Sequence, residues 1–156
     1  MSPVTVLRVL GALVVLGLLS ACVPSAPSPE SWREDARRAV SDVAGEVATA
    51  QLALEQETAD HLLGGYAVVV VVEAEELSGD AATAFESAQP PPVEEKRYDR
   101  VTKQLDEATG LITDARIAVA AGDEAAYPTL VRQLERAGRR LDRLEQSLEQ
   151  PPGGSG

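Results

Sequence analysis

The sequence predicts an all-α protein, an elongated antiparallel four-helix bundle in up-down-up-down order with coiled-coil-like packing. Three observations predict it. In three of four segments, apolar residues recur at alternating gaps of three and four, the spacing of one helix face. Gly64-Gly65, Pro90-Pro91-Pro92, Gly122-Asp123 and Pro151-Pro152 stand where those segments stop, as helix ends require. The segments are about 23 to 33 residues long, and short turns make consecutive helices antiparallel neighbours. The expected bundle domain is 30–150. A signal peptide (1–21) and a Pro/Ser tether (22–29) precede it, and a flexible tail (151–156) follows. The alternative is a pair of extended helical hairpins completed by dimerisation.

Residues 1–22 read MSPVTVLRVLGALVVLGLLSAC, with Arg8 the sole charged side chain. The apolar core, Val9 to Leu19, has about eleven residues. A membrane span needs ~20, so this is the core of a signal peptide. Leu19-Ser20-Ala21-Cys22 follows it directly. That tetrapeptide resembles the lipobox of bacterial lipoproteins: an aliphatic residue, two small residues, then cysteine. The resemblance covers only these 22 residues. It implies a diacylglyceryl lipid on the Cys22 thiol and cleavage just before Cys22. The mature protein would then sit at the extracytoplasmic face of the bacterial cell membrane, since two acyl chains hold stably where one is marginal. Val23 to Pro29 (VPSAPSP) would form an extended tether of at most ~20 Å.

Segment one opens at Ser28-Pro29, with Pro29 suited to the first helical position, or at Ser31, where Ser31-Trp32-Arg33-Glu34 reads as a capping box. Ala36, Val40, Val43, Val47, Ala50 and Leu54 form its stripe, and Gly64-Gly65 ends it. Segment two, Tyr66 to Gln89, is ambiguous. Its five consecutive valines, Val68 to Val72, suit a strand, but nothing else in the chain reads as β and the continuation Glu73-Ala74-Glu75-Glu76-Leu77 is helical. Helix is therefore expected, with Ala74, Leu77, Ala81, Phe85 and Ala88 inward and a kink at Gly79-Asp80. Segment three carries Tyr98, Val101, Leu105, Ala108, Ile112, Ala115 and Val119. Gly122 is its expected C′ residue and Asp123 the next N-cap. Segment four carries Tyr127, Leu130, Leu134, Ala137, Leu141, Leu144 and Leu148. Pro128 makes a separate or bent first turn the expectation there.

Composition excludes several chemistries. One Cys rules out an intrachain disulfide framework, and one His rules out any site needing two imidazoles. No Cys/His cluster suits zinc. A formal charge of −11 argues against nucleic acid, whose phosphates need a basic surface. His61 shares a helix face with Glu57 and neighbours Asp60, so the pair could hold one edge of a cation, but Thr58 stands where a Glu-x-x-His metal motif needs glutamate. The reading is no enzyme, no catalytic or metal residues and no cofactor.

Two surfaces are candidates for a partner. Residues 30–95 hold 15 acidic and 3 basic side chains, whereas residues 96–156 hold 10 of each. Within the second half, Arg132, Arg136, Arg139, Arg140 and Arg143 form a stripe. Pairing with the acidic helices is its ordinary expectation; docking of an acidic partner or lipid headgroups is the sharper one. The other candidate is Tyr66, Val68, Val69, Val71 and Val72, a stretch apolar all round. Enclosure by the other helices is expected. An outward apolar patch would instead mark an envelope protein partner or a homodimer. The expected function is a non-enzymatic, membrane-anchored scaffold or interaction protein of the cell envelope. The alternative is a lipoprotein that holds an apolar molecule near Val68–Val72 or a cation near Glu57 and His61.

Overall fold

Ser28 starts the first helix. In the computed structural model, which describes residues 27–59 and 65–150, the Ser28 side chain accepts a hydrogen bond from Ser31 N at 3.1 Å. Pro29 takes the first helical position of α1, Pro29–Thr58. Ser31 is therefore inside the helix and not its cap. Its hydroxyl donates back to Ser28 O at 3.0 Å, and Glu34 reaches forward to Arg37 at 3.0 Å. The proline decides this start, because its fixed φ suits the first turn and it has no N–H to leave unpaired. Cys22, the tether up to residue 26, Asp60, His61, Gly64 and the tail lie outside the described residues.

Three more helices follow: α2 Tyr66–Glu86, α3 Glu95–Ala121 and α4 Tyr127–Leu148. The described residues contain no strand. The valines thus join a helix, since a lone strand would leave its backbone groups unpaired. α2 begins at Gly65, whose φ of +89° is left-handed backbone that glycine adopts without strain, and it runs unbroken through Gly79-Asp80. A 3-10 turn, Pro92–Glu94, leads into α3. At the far end of α3, Gly122 has φ +65° and Asp123 N donates to Ala118 O at 2.9 Å. This is a Schellman stop. Asp123 does not cap α4: a separate turn over residues 124–126 intervenes, and Ala126 is the N-cap. Pro128 sits within the first two positions of α4, where its missing N–H costs nothing.

All four helices share one core, and α1 packs on each of the other three. Its inward face is mainly small: Ala36, Ala39, Val40, Val43, Val47, Ala50, Ala53 and Leu54 are buried. Small residues let several helices approach one axis. The larger apolar side chains come from α3 and α4, where Leu105, Ile112, Leu134 and Leu141 are wholly buried. Each contributes about 1.5–3 kcal/mol on leaving water. Trp32, Phe85 and Tyr98 close the end where α1 begins, with ring centroids 5.8 and 5.5 Å apart.

In α2 only Ala74 and Phe85 of the expected stripe are buried. Ala67, Val71, Ala74, Ser78, Ala82 and Phe85 face inward, while Leu77 is exposed and Ala81 half-buried. Ser78 tolerates burial because its hydroxyl donates to Glu75 O at 3.0 Å, which satisfies it locally. No helix among the described residues is long and apolar enough to cross a membrane.

Candidate functional surfaces

The valine run is divided, not enclosed. Val71 is wholly buried, Val68 and Val70 are half-buried, and Val69 and Val72 are 61% and 42% exposed. Tyr66, one turn before Val69, is also exposed. The reason is geometric. Successive helical residues turn by about 100°, and α2 has neighbours on one side only. Enclosure on every side is thus corrected, and Val71 leaves the candidate surface for the core. Tyr66, Val69 and Val72 stand at a spacing of three and form an outward apolar strip.

The arginine stripe lies beside α3, away from the acidic helices. Arg140 spans the seam between α3 and α4, donating to Gln104 Oε1 at 3.2 Å and approaching Glu107 at 3.7 Å. Arg139 pairs with Glu135 of its own helix at 2.5 Å, and Arg132 donates to Thr129 at 3.1 Å. Among the described residues, Arg100, Arg136 and Arg143 have no ion pair or side-chain hydrogen bond. Pairing of the stripe with α1 and α2 is therefore corrected. The acidic residues of α4 occupy its other flank, where Glu145 meets Arg37 of α1 at 3.7 Å.

Two open grooves follow the α3–α4 seam. One, about 290 Å³, is lined by Arg100, Gln104, Arg140, Arg143, Leu144 and Ser147. The next, about 310 Å³, is lined by Glu107, Leu111, Gln133, Arg136 and Arg140. Arg140 belongs to both. The arginines stand three and four apart on α4, so one helix flank carries them all.

Reading along the chain missed a buried charge cluster. Glu94, in the turn before α3, has no exposed surface. Arg97 Nη1 donates to its Oε2 at 3.2 Å, and Arg33 Nε lies 3.4 Å from its Oε1. Arg33 spends that N–H on Pro29 O at 3.0 Å, so its contact with Glu94 is one of charge only. Arg97 also reaches Gln150 O at 3.3 Å. The cluster thus ties α1, the α2–α3 connection and the end of α4 together. In the sequence Pro90-Pro91-Pro92 marks only the end of a helical segment, and no local pattern singles out Glu94.

Glu57 is half-buried, and its Oε2 has no hydrogen-bond partner among the described residues. Its negative charge, after burial, helps push the Tyr127 hydroxyl pKa up. His61, and with it the expected Glu57–His61 face, lies outside the described residues. Among the described residues, no three His, Cys, Asp or Glu side chains are grouped to hold a metal ion. Compared with known protein families, curated proteins and solved structures, the chain matches none.

Proposed function

We propose that this chain is an extracytoplasmic lipoprotein, anchored through a diacylglyceryl group on Cys22, whose helical bundle is a non-enzymatic interaction or scaffolding module of the bacterial envelope. The lipobox supports the anchor. The outward strip of Tyr66, Val69 and Val72 carries the interaction reading, because apolar side chains in a row on a helix face are better buried against a partner. We propose also that the helices run up-down-up-down with coiled-coil-like packing. Reversed contacts support this: α1 meets α4 at Arg37–Glu145 and again where a Cβ added to Gly138 would meet Val47 Cγ1 at 3.8 Å.

The anchor is tested by Cys22→Ser with metabolic fatty-acid labelling and cell fractionation. The variant should lose label and leave the membrane; equal labelling would end the lipoprotein reading. The strip is tested by Val69→Asp with Val72→Asp. Both side chains reach water, so the melting temperature should change little, while a partner crosslinked in native membranes, or a homodimer, is lost. Val71→Asp is the contrasting control, because a charge buried without a partner costs several kcal/mol. If the double variant keeps every crosslink and its oligomeric state, the strip is not an interface.

A further inference from the structure

The grooves along the α3–α4 seam have a chemistry that the interaction reading does not use. Arg100, Arg136 and Arg143 project around them without ion pairs among the described residues, and Arg140 joins the two grooves. Guanidinium groups are planar forks that match phosphate oxygens, and they stay charged at any physiological pH. Arg100, Arg136 and Arg143 carry no acidic partner among the described residues in a chain of net charge −11, while Arg139 and Arg140 of the same row face Glu135 and Glu107.

The row's position in the molecule narrows the ligand. Arg100 stands in the second turn of α3 and Arg143 in the last turns of α4, whereas Arg136 stands near the middle of α4. The Arg37–Glu145 contact of 3.7 Å sets the last turns of α4 beside the first turns of α1. The groove lined by Arg100 and Arg143 thus opens toward the end that would carry the tether, and the second groove continues it toward the middle of the bundle. Most of the acidic excess faces elsewhere, since residues 30–95, with 15 acidic and 3 basic side chains, include all of α2 and nearly all of α1.

We infer that the α3–α4 groove docks on the phosphates of anionic lipid headgroups in the membrane that holds the chain, so that the bundle lies on its side with α1 and α2 facing away. The inference rests on the anchoring of Cys22. Charge orients the molecule, because an anionic surface attracts the arginine row and repels the acidic helices. Reach permits it. Neighbouring helix axes are about 8–10 Å apart and a helix is about 10 Å across. Pro29 would then stand roughly 15 Å above the surface, within the ~20 Å that seven extended residues can cover. Tethering also supplies a high effective concentration, so weak contacts at each arginine suffice.

The experiment uses the mature chain coupled through Cys22, its sole thiol, to a maleimide lipid in vesicles. Chemical coupling makes the result independent of whether cells lipidate Cys22, which fatty-acid labelling decides separately. Phenylglyoxal modification is then followed by mass spectrometry at Arg100, Arg136 and Arg143, with exposed Arg38 on α1 as the reference. On vesicles containing phosphatidylglycerol the three should be protected several-fold relative to Arg38. The protection should vanish in high salt and on pure phosphatidylcholine. A second measurement takes the uncoupled Cys22→Ser chain, whose partition onto phosphatidylglycerol vesicles should fall about fivefold for each arginine changed to Gln. Equal modification of all four arginines on both vesicle types would overturn the inference. So would protection by inorganic phosphate in solution without protection on anionic vesicles, which would mark a site for a free anion.

Discussion

Glu94 shows how one residue can hold several elements together. Its carboxylate is fully buried and faces Arg33 and Arg97, which are 14% and 23% exposed. Glu94→Gln would leave two largely desolvated guanidiniums without their counter-charge. Breaking a buried pair costs 3–5 kcal/mol when the remaining charge is fully buried. Here the arginines keep some water, so a loss of about 2–3 kcal/mol in denaturant unfolding is expected. No change would mean that the cluster is incidental to stability. Glu46 behaves in the opposite sense. Burial pushes its pKa up, and the carboxylates of Glu73 and Asp42 add to the effect. An acid with a raised folded-state pKa holds its proton more tightly when folded. The fold therefore loses stability as pH rises through the carboxylate range toward neutral. Glu46→Gln should raise the melting temperature at neutral pH, with the gain disappearing below pH ~4. A gain of the same size at both pH values would show packing to be its cause.

At the scale of the element, the helices carry glycines that their geometry does not need. Gly79 in α2 and Gly110 in α3 have helical backbone, and a Cβ at either would meet nothing within 4 Å. Changing each to Ala should stabilise the protein by about 0.5–1 kcal/mol, since glycine loses more backbone freedom on folding. Gly122 is different, because its φ of +65° ends α3. Gly122→Ala should cost about 1–2 kcal/mol. Thermal melts of the three variants check both signs. The phase of α2 is the element-scale lesson. A stretch such as Ala67 to Val72 has no polar side, so its local pattern cannot say which way the helix is turned. Contact with α1 and α3 decides it, burying small Ser78 and leaving the larger Leu77 in water.

Across the whole molecule, charge is divided by face. Residues 30–95 carry 15 acids against 3 bases, so α1 and α2 repel one another through their outer carboxylates. Raising salt from low ionic strength to about 0.15 M shortens the screening length to ~8 Å. The melting temperature should then rise, because relief of this repulsion outweighs the loss of exposed ion pairs such as Arg139–Glu135, which are worth little. A fall would show that the ion pairs dominate.

The inward stripes of α1, α3 and α4 were legible in the sequence because they alternate with polar residues at helical spacing. Val101 to Val119 and Tyr127 to Leu148 are buried where periodicity put them, apart from half-buried Tyr98 at the start of α3. The stop at Gly122 was legible too, since left-handed backbone selects glycine, whereas α1 ends at Thr58 with Ala59 as its C-cap, short of the expected Gly64-Gly65. Three things only the tertiary structure decided. It turned the uniformly apolar start of α2 so that Val71 is inside and Val69 outside. It buried Glu94 between two arginines 61 residues and 3 residues away in the chain. It aimed the arginines of α4 at α3 and not at the acidic helices. A helix repeat is a local property, read within a few turns. Rotation of an unpatterned helix and pairing of distant charges depend on which surfaces meet, and those are set only when the four helices pack on one core.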